Sequence, residues 1–286
     1  MRLSRNSQLV LRGATALTLA FIYVPLLVIA IESFSTARTF EWPPPGLTLD
    51  WYDKAIHNEG ARDAFLYSLK TGALATAIAL VLGTLASLAV ARHRFFGRET
   101  ISFLVILPIA LPGIVTGIAL NSTFTQVAGI NLSLFTIVVA HATFCIVVVY
   151  NNVIARLRRM SISFEEASAD LGATPWQTFR LVTLPNMRTA LVAGALLAFA
   201  LSFDEIIVTT FTIGAGDETL PIWIFNNFSR PNQIPVVNVV AVIVVLLSII
   251  PVYFAHKLTQ DEGAVAGRGG RDAPAGGGAA KSVNVP

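Results

Sequence analysis

Cysteine is almost missing from this chain. Cys145 stands alone inside an apolar run, which excludes an intrachain disulfide and a cysteine-based metal cluster. Charge is scarce as well: 13% of the 286 residues are charged and 54% are hydrophobic, far more apolar than a soluble globular domain. The signatures of hydrolytic chemistry are absent too, with neither an H-E-x-x-H pair nor a nucleophile elbow. The Lys-Ser/Thr dipeptides, Lys70-Thr71 and Lys281-Ser282, lack the glycine that a phosphate-binding loop places just before its lysine. An enzyme reading has no residues to rest on, and any ATP consumed must be hydrolysed by another polypeptide. The net charge of +3 is too small to argue for nucleic acid. No tandem repeat of solenoid length occurs.

What the chain does have is long apolar runs. A bilayer core about 30 Å thick needs about 20 helical residues, and the segments 15–34, 68–91, 101–127, 132–150, 189–212 and 236–255 meet that requirement with modest interruptions. The expected fold class is an all-α membrane protein with six transmembrane helices. The first run follows Arg2, Arg5 and Arg12, but it is too long for a signal-peptide core and no small-x-small cleavage site follows, so an uncleaved anchor helix is expected.

Of the 20 basic residues, Arg38, Lys54, Arg62, Lys70 and Arg230 fall on one side of this layout and all others on the opposite side. Retained positive charge marks the cytoplasmic side, so both termini are expected there. The chain divides into a cytoplasmic N-terminus (1–14), a transmembrane domain (15–256) and a tail (257–286) that is rich in glycine and alanine, lacks periodicity and is expected to be disordered. Trp42, Trp51 and Trp223 lie in the two long external segments, 38–67 and 214–235, as interfacial anchors or contacts for an external partner.

Within the apolar runs a few residues break the pattern. Ala75, Ala79, Gly83 and Ser87 recur every four residues and offer a close-packing face. Pro108, Pro112 and Gly113 should loosen or kink the third helix. Asp204 and Glu205 sit midway along the fifth, where a carboxylate needs compensation. Adjacent helical residues point about 100° apart, so the two cannot share a face. One of them, Asp204 by preference, is expected to face a cavity and attract a cationic solute. Glu32, at the end of the first helix, is read as boundary polarity in reach of water. His141 has no second ligand at helical spacing and is read as a hydrogen-bonded packing residue.

A polar island, residues 163–185, separates the fourth and fifth runs. Ser163 with Glu166, and Thr174 with Gln177, have the spacing of capping boxes, and Pro175 fits a first helical position. Gly172 suits the left-handed end of the first short helix. Trp176, Phe179 and Leu184 give the second an apolar side, and Pro185 is expected to end it. Two capped helices meeting at a glycine corner make a rigid element on the cytoplasmic side.

The island also reads Glu166-Ala167-Ser168-Ala169-Asp170-Leu171-Gly172-Ala173, then Phe179, then Leu184-Pro185. That order and spacing resemble the EAA loop of ABC importer permeases, with Ser168 in place of the usual third alanine. Tyr23-Val-Pro-Leu26, Glu32-Ser-Phe34, Leu107-Pro-Ile-Ala-Leu-Pro-Gly113, Ser202-Phe-Asp-Glu-Ile-Ile-Val-Thr-Thr-Phe211 and Leu220-Pro-Ile-Trp-Ile-Phe225 extend the likeness over most of residues 20–255, to the PotC-type permeases of spermidine/putrescine importers.

The resemblance implies a type I importer permease fold in the bacterial inner membrane. Its partners would be ABC ATPase subunits carrying MgATP, a second permease subunit, an extracytoplasmic solute-binding protein and membrane lipid, with no nucleic acid and no cofactor in this chain. It implies that Glu166, Ala167, Asp170, Gly172, Ala173, Trp176, Phe179, Leu184 and Pro185 contact the ATPase. It also implies that Asp204 and Glu205 lie on the substrate pathway of a polycation. Other readings use parts of the same sequence: an ion-coupled secondary transporter with Asp204 or Glu205 as proton carrier, an importer permease for a different small solute, or a helix-turn-helix at Ala169-x-Leu171-Gly172-x-Thr174. The last is opposed by the single arginine, Arg180, on its second helix.

Overall fold

The computed structural model describes residues 4–268, which form a helical bundle. In chain order the helices are α1 (Arg5–Glu32), α2 (Asp50–Ile56), α3 (Glu59–Arg92), α4 (Arg98–Ala110), α5 (Gly113–Ser122, prolonged by a π turn at Thr123–Val127) and α6 (Leu134–Arg159). They continue as α7 (Ser163–Asp170), α8 (Pro175–Thr178, followed by a π turn at Phe179–Thr183), α9 (Leu184–Phe203), α10 (Ile207–Thr212), α11 (Leu220–Phe228) and α12 (Ile234–Arg268). Side chains set several of the starts by satisfying the N–H groups a new helix leaves unpaired. Ser4 accepts from Ser7 N–H, Asn58 accepts from Ala61 N–H, and Ser133 and Thr136 form a reciprocal capping box.

Among the described residues, five helices are long and apolar enough to cross a membrane, and a sixth span results if α4 and the Gly113–Val127 stretch, bent by 104°, are taken as one. The expected kink is therefore a near right-angle break between Ala110 and Gly113, where Pro112 supplies no donor to continue the ladder.

The core lies where α3, α6 and α9 pack together. Ala75, Ala79, Gly83 and Ser87 all face inward and are buried. At Gly83 a Cβ would stand 3.0 Å from the Ile146 carbonyl oxygen, so a small residue is what lets α3 and α6 approach. The Ser87 hydroxyl then donates to the Tyr150 carbonyl at 3.1 Å. On α9 the row Gly194, Ala198 and Ser202 is buried too. A second cluster is built from α2, α11 and the starts of α3 and α12, with Trp51, Leu220, Trp223 and Val239 among its buried members. Trp51 and Trp223 are thus structural rather than interfacial anchors: Trp51 Nε1–H donates to the Ser35 carbonyl at 2.8 Å, while Trp42 stays exposed. By contrast, the most apolar stretch of α1 buries nothing against its own chain.

Four expectations need correcting. The run 189–212 is not one helix, because α9 stops at Phe203 and α10 starts at Ile207. Pro185 does not end the second island helix. It sits in the first turn of α9 just after the π turn, where Leu184 N–H reaches Phe179 O and the missing proline donor is tolerated, so one rod runs Pro175–Phe203. Glu32 does not reach water but is buried. Finally, α12 continues helically past Lys257 to Arg268, since this stretch has no proline and several good helix formers; the remainder of the expected disordered tail lies outside the described residues.

Candidate functional site

The break between α9 and α10 separates the two acidic residues by role. Asp204 caps the C-terminal end of α9 through its backbone, is exposed, and lines a cleft of about 270 Å³ together with Phe203, Leu220, Ile224, Phe225 and Phe228. The end of α9 presents carbonyl oxygens with partial negative charge beside that carboxylate, a combination that favours a cation. Glu205 turns the other way: its Oε1 accepts from Val208 N–H at 2.9 Å and so caps α10. The continuous helix on which both carboxylates were expected is therefore absent: α9 ends at Phe203 and α10 begins at Ile207, with Asp204 and Glu205 in the break.

His141 holds the break in shape. Buried on α6, it meets Ser202 Oγ of α9 through Nδ1 at 2.7 Å and Thr209 Oγ1 of α10 through Nε2 at 2.8 Å. One imidazole thus joins the two halves of the interrupted span.

α10 in turn packs on α5, the second half of the other broken span. Asn121 Nδ2–H donates to the Phe211 carbonyl at 2.6 Å, and a Cβ on Gly117 would come within 2.7 Å of the Phe211 ring. The starts of α5 and α10 also meet, since a Cβ on Gly113 would lie 3.6 Å from Ile207. Two discontinuous helices thus place their breaks side by side.

The island is a second site at the opposite end of α9. α7 closes in a Schellman motif, with Ala173 N–H donating to Ser168 O, Gly172 N–H to Ala169 O, and Gly172 at φ +82°. Thr174 and Gln177 form the expected capping box, with Pro175 in the first turn of α8. The Ser163 box does not form: α7 already begins at Ser163, whose hydroxyl pairs with Ser161 Oγ at 2.9 Å. Ser168 Oγ meets Thr178 Oγ1 at 3.0 Å and braces α7 against α8, a bond that alanine at that position could not make.

Glu166, Ala167 and Asp170 are exposed, Ala173 is half-buried at the corner, and Trp176 and Phe179 stack with ring centroids 5.5 Å apart. Leu184 is half-buried and Pro185 exposed where the rod continues into the bundle. Leu171, Trp176 and Leu181 leave an apolar surface facing outward from the loop, at 89%, 65% and 69% exposure, which is the character of a protein-binding face.

Sequence reasoning picked Glu166 here and missed its neighbour Glu165, which ties the loop down. Arg92, at the end of α3, pairs with Glu165 at 3.0 Å in a largely buried contact, and Thr183 Oγ1–H donates to the same carboxylate at 3.1 Å. Arg156 Nε–H adds a bond from α6 to the Asn186 carbonyl at 2.8 Å. A lone glutamate beside another carries no local signal of a partner more than seventy residues away.

Residues 79–261 match the family described as binding-protein-dependent transport system inner membrane component. The chain is similar to the putrescine transport system permease protein PotI of Escherichia coli K12, at 34% identity over 231 residues, covering 78% of this chain and 81% of the relative. It is also similar to the spermidine/putrescine transport system permease protein PotC of Haemophilus influenzae, at 31% identity over 242 residues, covering 84% and 93% of the two chains. In fold it resembles a chain of a bacterial ABC transporter that imports the acidic polysaccharide alginate, with TM-score 0.69 at 18% identity, covering 91% of this chain and 99% of that one.

Proposed function

Since the chain belongs to the binding-protein-dependent transport system inner membrane component family, we propose that it is the permease subunit through which an ATP-driven importer moves a polyamine of the spermidine/putrescine class. The observation that carries the substrate is Asp204, a carboxylate at a helix end beside a cleft walled by phenylalanines and aliphatic side chains. A linear polyamine offers what such a cleft can take: an ammonium for the carboxylate and carbonyl dipoles, and methylenes for the apolar wall. The names of PotI and PotC point to the same class of solute.

In this reading the island docks on a cytoplasmic ABC ATPase that binds MgATP. Trp176, Phe179 and the corner at Gly172 and Ala173 form the contact, with Glu166, Ala167 and Asp170 exposed on α7 and Leu184 and Pro185 leading into α9. A solute-binding protein delivers the polyamine on the outer side, and a second permease subunit completes the passage. The chain sits in the bacterial inner membrane with both termini in the cytoplasm, as the bias of its basic residues supports. The rod Pro175–Phe203 links the ATPase contact directly to Asp204. Closure of the ATPases would therefore tilt the rod and switch the cleft between outward and inward access, a rigid-body change between two packed states.

The test is reconstitution of the complex with its ATPase and binding protein in proteoliposomes. Spermidine or putrescine should stimulate ATP hydrolysis and accumulate inside, and Asp204→Asn should cut uptake at least about tenfold, the equivalent of about 1.4 kcal/mol of lost stabilisation. Purification without any ATPase partner would overturn the importer reading, and unchanged uptake in Asp204→Asn would overturn the site.

A further inference from the structure

α1 ends in a carboxylate with an oxygen that no described residue hydrogen-bonds. Glu32 is 5% exposed, and its Oε1 is buried with no hydrogen bond. A buried ionised carboxylate without a counter-charge costs several kcal/mol, so the charged form of Glu32 calls for a cation that none of the described residues supplies within ion-pair distance. Glu32 lines a cavity of about 260 Å³ with Arg38, Phe40, Phe228 and Asn238. Arg38 is the obvious counter-ion, yet among the described residues no ion pair within 4.0 Å joins it to Glu32. The cavity thus carries one buried carboxylate and one arginine on its wall, not ion-paired with each other.

Its position connects it to the transport pathway. Phe228 lines both this cavity and the Asp204 cleft, so the two share an aromatic wall with one carboxylate on each side. A linear polyamine alternates charge and methylene in the same order. We propose that the Glu32 cavity is a second ammonium subsite, on the outer side of the Asp204 cleft, which receives one end of a polyamine while Phe228 covers the intervening chain. This inference rests on the polyamine reading above. Glu32 supplies the charge, Asn238 offers an amide oxygen for a further N–H, and the faces of Phe40 and Phe228 suit an alkylammonium.

The test uses the intact complex with its binding protein in proteoliposomes and spermidine as the probe. Glu32→Gln should lower spermidine transport about tenfold with ATPase assembly unchanged, and Glu32→Asp, which keeps the charge, should stay within about threefold of the parent. A second measurement needs no variant: a hydrophobic carbodiimide should modify Glu32 in the unaltered complex, read by mass spectrometry, and spermidine should slow that modification. If the unaltered complex moves neither spermidine nor putrescine, the polyamine reading falls and the subsite with it. If it moves them while Glu32→Gln transports normally, or while spermidine gives Glu32 no protection, the subsite alone falls.

Discussion

Gly172 shows how much a single residue can specify when its constraint is local. Its φ of +82° lies where a side chain costs about 1–2 kcal/mol, and no atom stands within 4 Å of where a Cβ would go. Strain rather than collision is therefore the penalty, and it falls on the angle between α7 and α8. On the coupling role proposed for the loop, Gly172→Val should assemble in the membrane and hydrolyse ATP, yet lose uptake about tenfold, whereas Gly172→Asn, which tolerates this conformation better, should lose less. Parallel assays of hydrolysis and uptake in proteoliposomes decide it, and a fully active Gly172→Val would remove the corner from the mechanism. Constraints of this short range were legible in the sequence: the glycine corner, the Thr174–Gln177 box and the small-residue face of α3 all involve neighbours within one or two turns. The surroundings of Glu32 and Glu165 were not, because burial and pairing of those carboxylates depend on segments brought together only by the fold.

At the scale of the element, the helices that matter most are the interrupted ones. An apolar window cannot distinguish a continuous span from a broken one, since both have the same composition; what differs is where the backbone hydrogen bonds go. The break after Phe203 leaves polar backbone inside the bundle, tolerable only where side chains or a lined cavity receive it. Glu205 does so for the Val208 N–H at the start of α10, while His141 joins the two halves through the hydroxyls of Ser202 and Thr209. Replacing the imidazole by a methyl group deletes two buried hydrogen bonds, each worth about 1 kcal/mol, and opens a void. His141→Ala should therefore destabilise the protein by about 2–4 kcal/mol and release α10 from α9. Thermal unfolding in detergent would show a lowered midpoint, and faster backbone hydrogen exchange at residues 203–209 would show where the loss falls. Exchange that rises uniformly over the bundle, or not at all, would argue that His141 is ordinary packing.

For the molecule as a whole, the coupling role proposed for the island raises the question of how a push there becomes a change at the Asp204 break. The rod Pro175–Phe203 has 29 residues, which at 1.5 Å per residue makes a lever of roughly 40 Å, so a tilt of about 10° at the island shifts the Asp204 break by about 7 Å. That displacement is comparable to the width of a passage for an ammonium chain. A lever works only if its load is attached, and here the attachments are polar contacts at the island end: Arg92 to Glu165 from α3, and Arg156 to Asn186 O from α6. Through them a displaced loop carries α3 and α6 with α9, instead of sliding past them. Cutting the Arg92 link should consequently harm coupling more than assembly. Arg92→Ala is expected to retain most ATP hydrolysis while transported solute per ATP falls about fivefold or more. Because the pair is mostly shielded from water, its charges matter as a pair and not as individuals. The exchange of Arg92→Glu with Glu165→Arg should then recover more transport per ATP than either single change allows. Failure of the double variant to exceed both singles would place the tether's role in packing at the end of α3 and leave α9 alone to transmit the stroke.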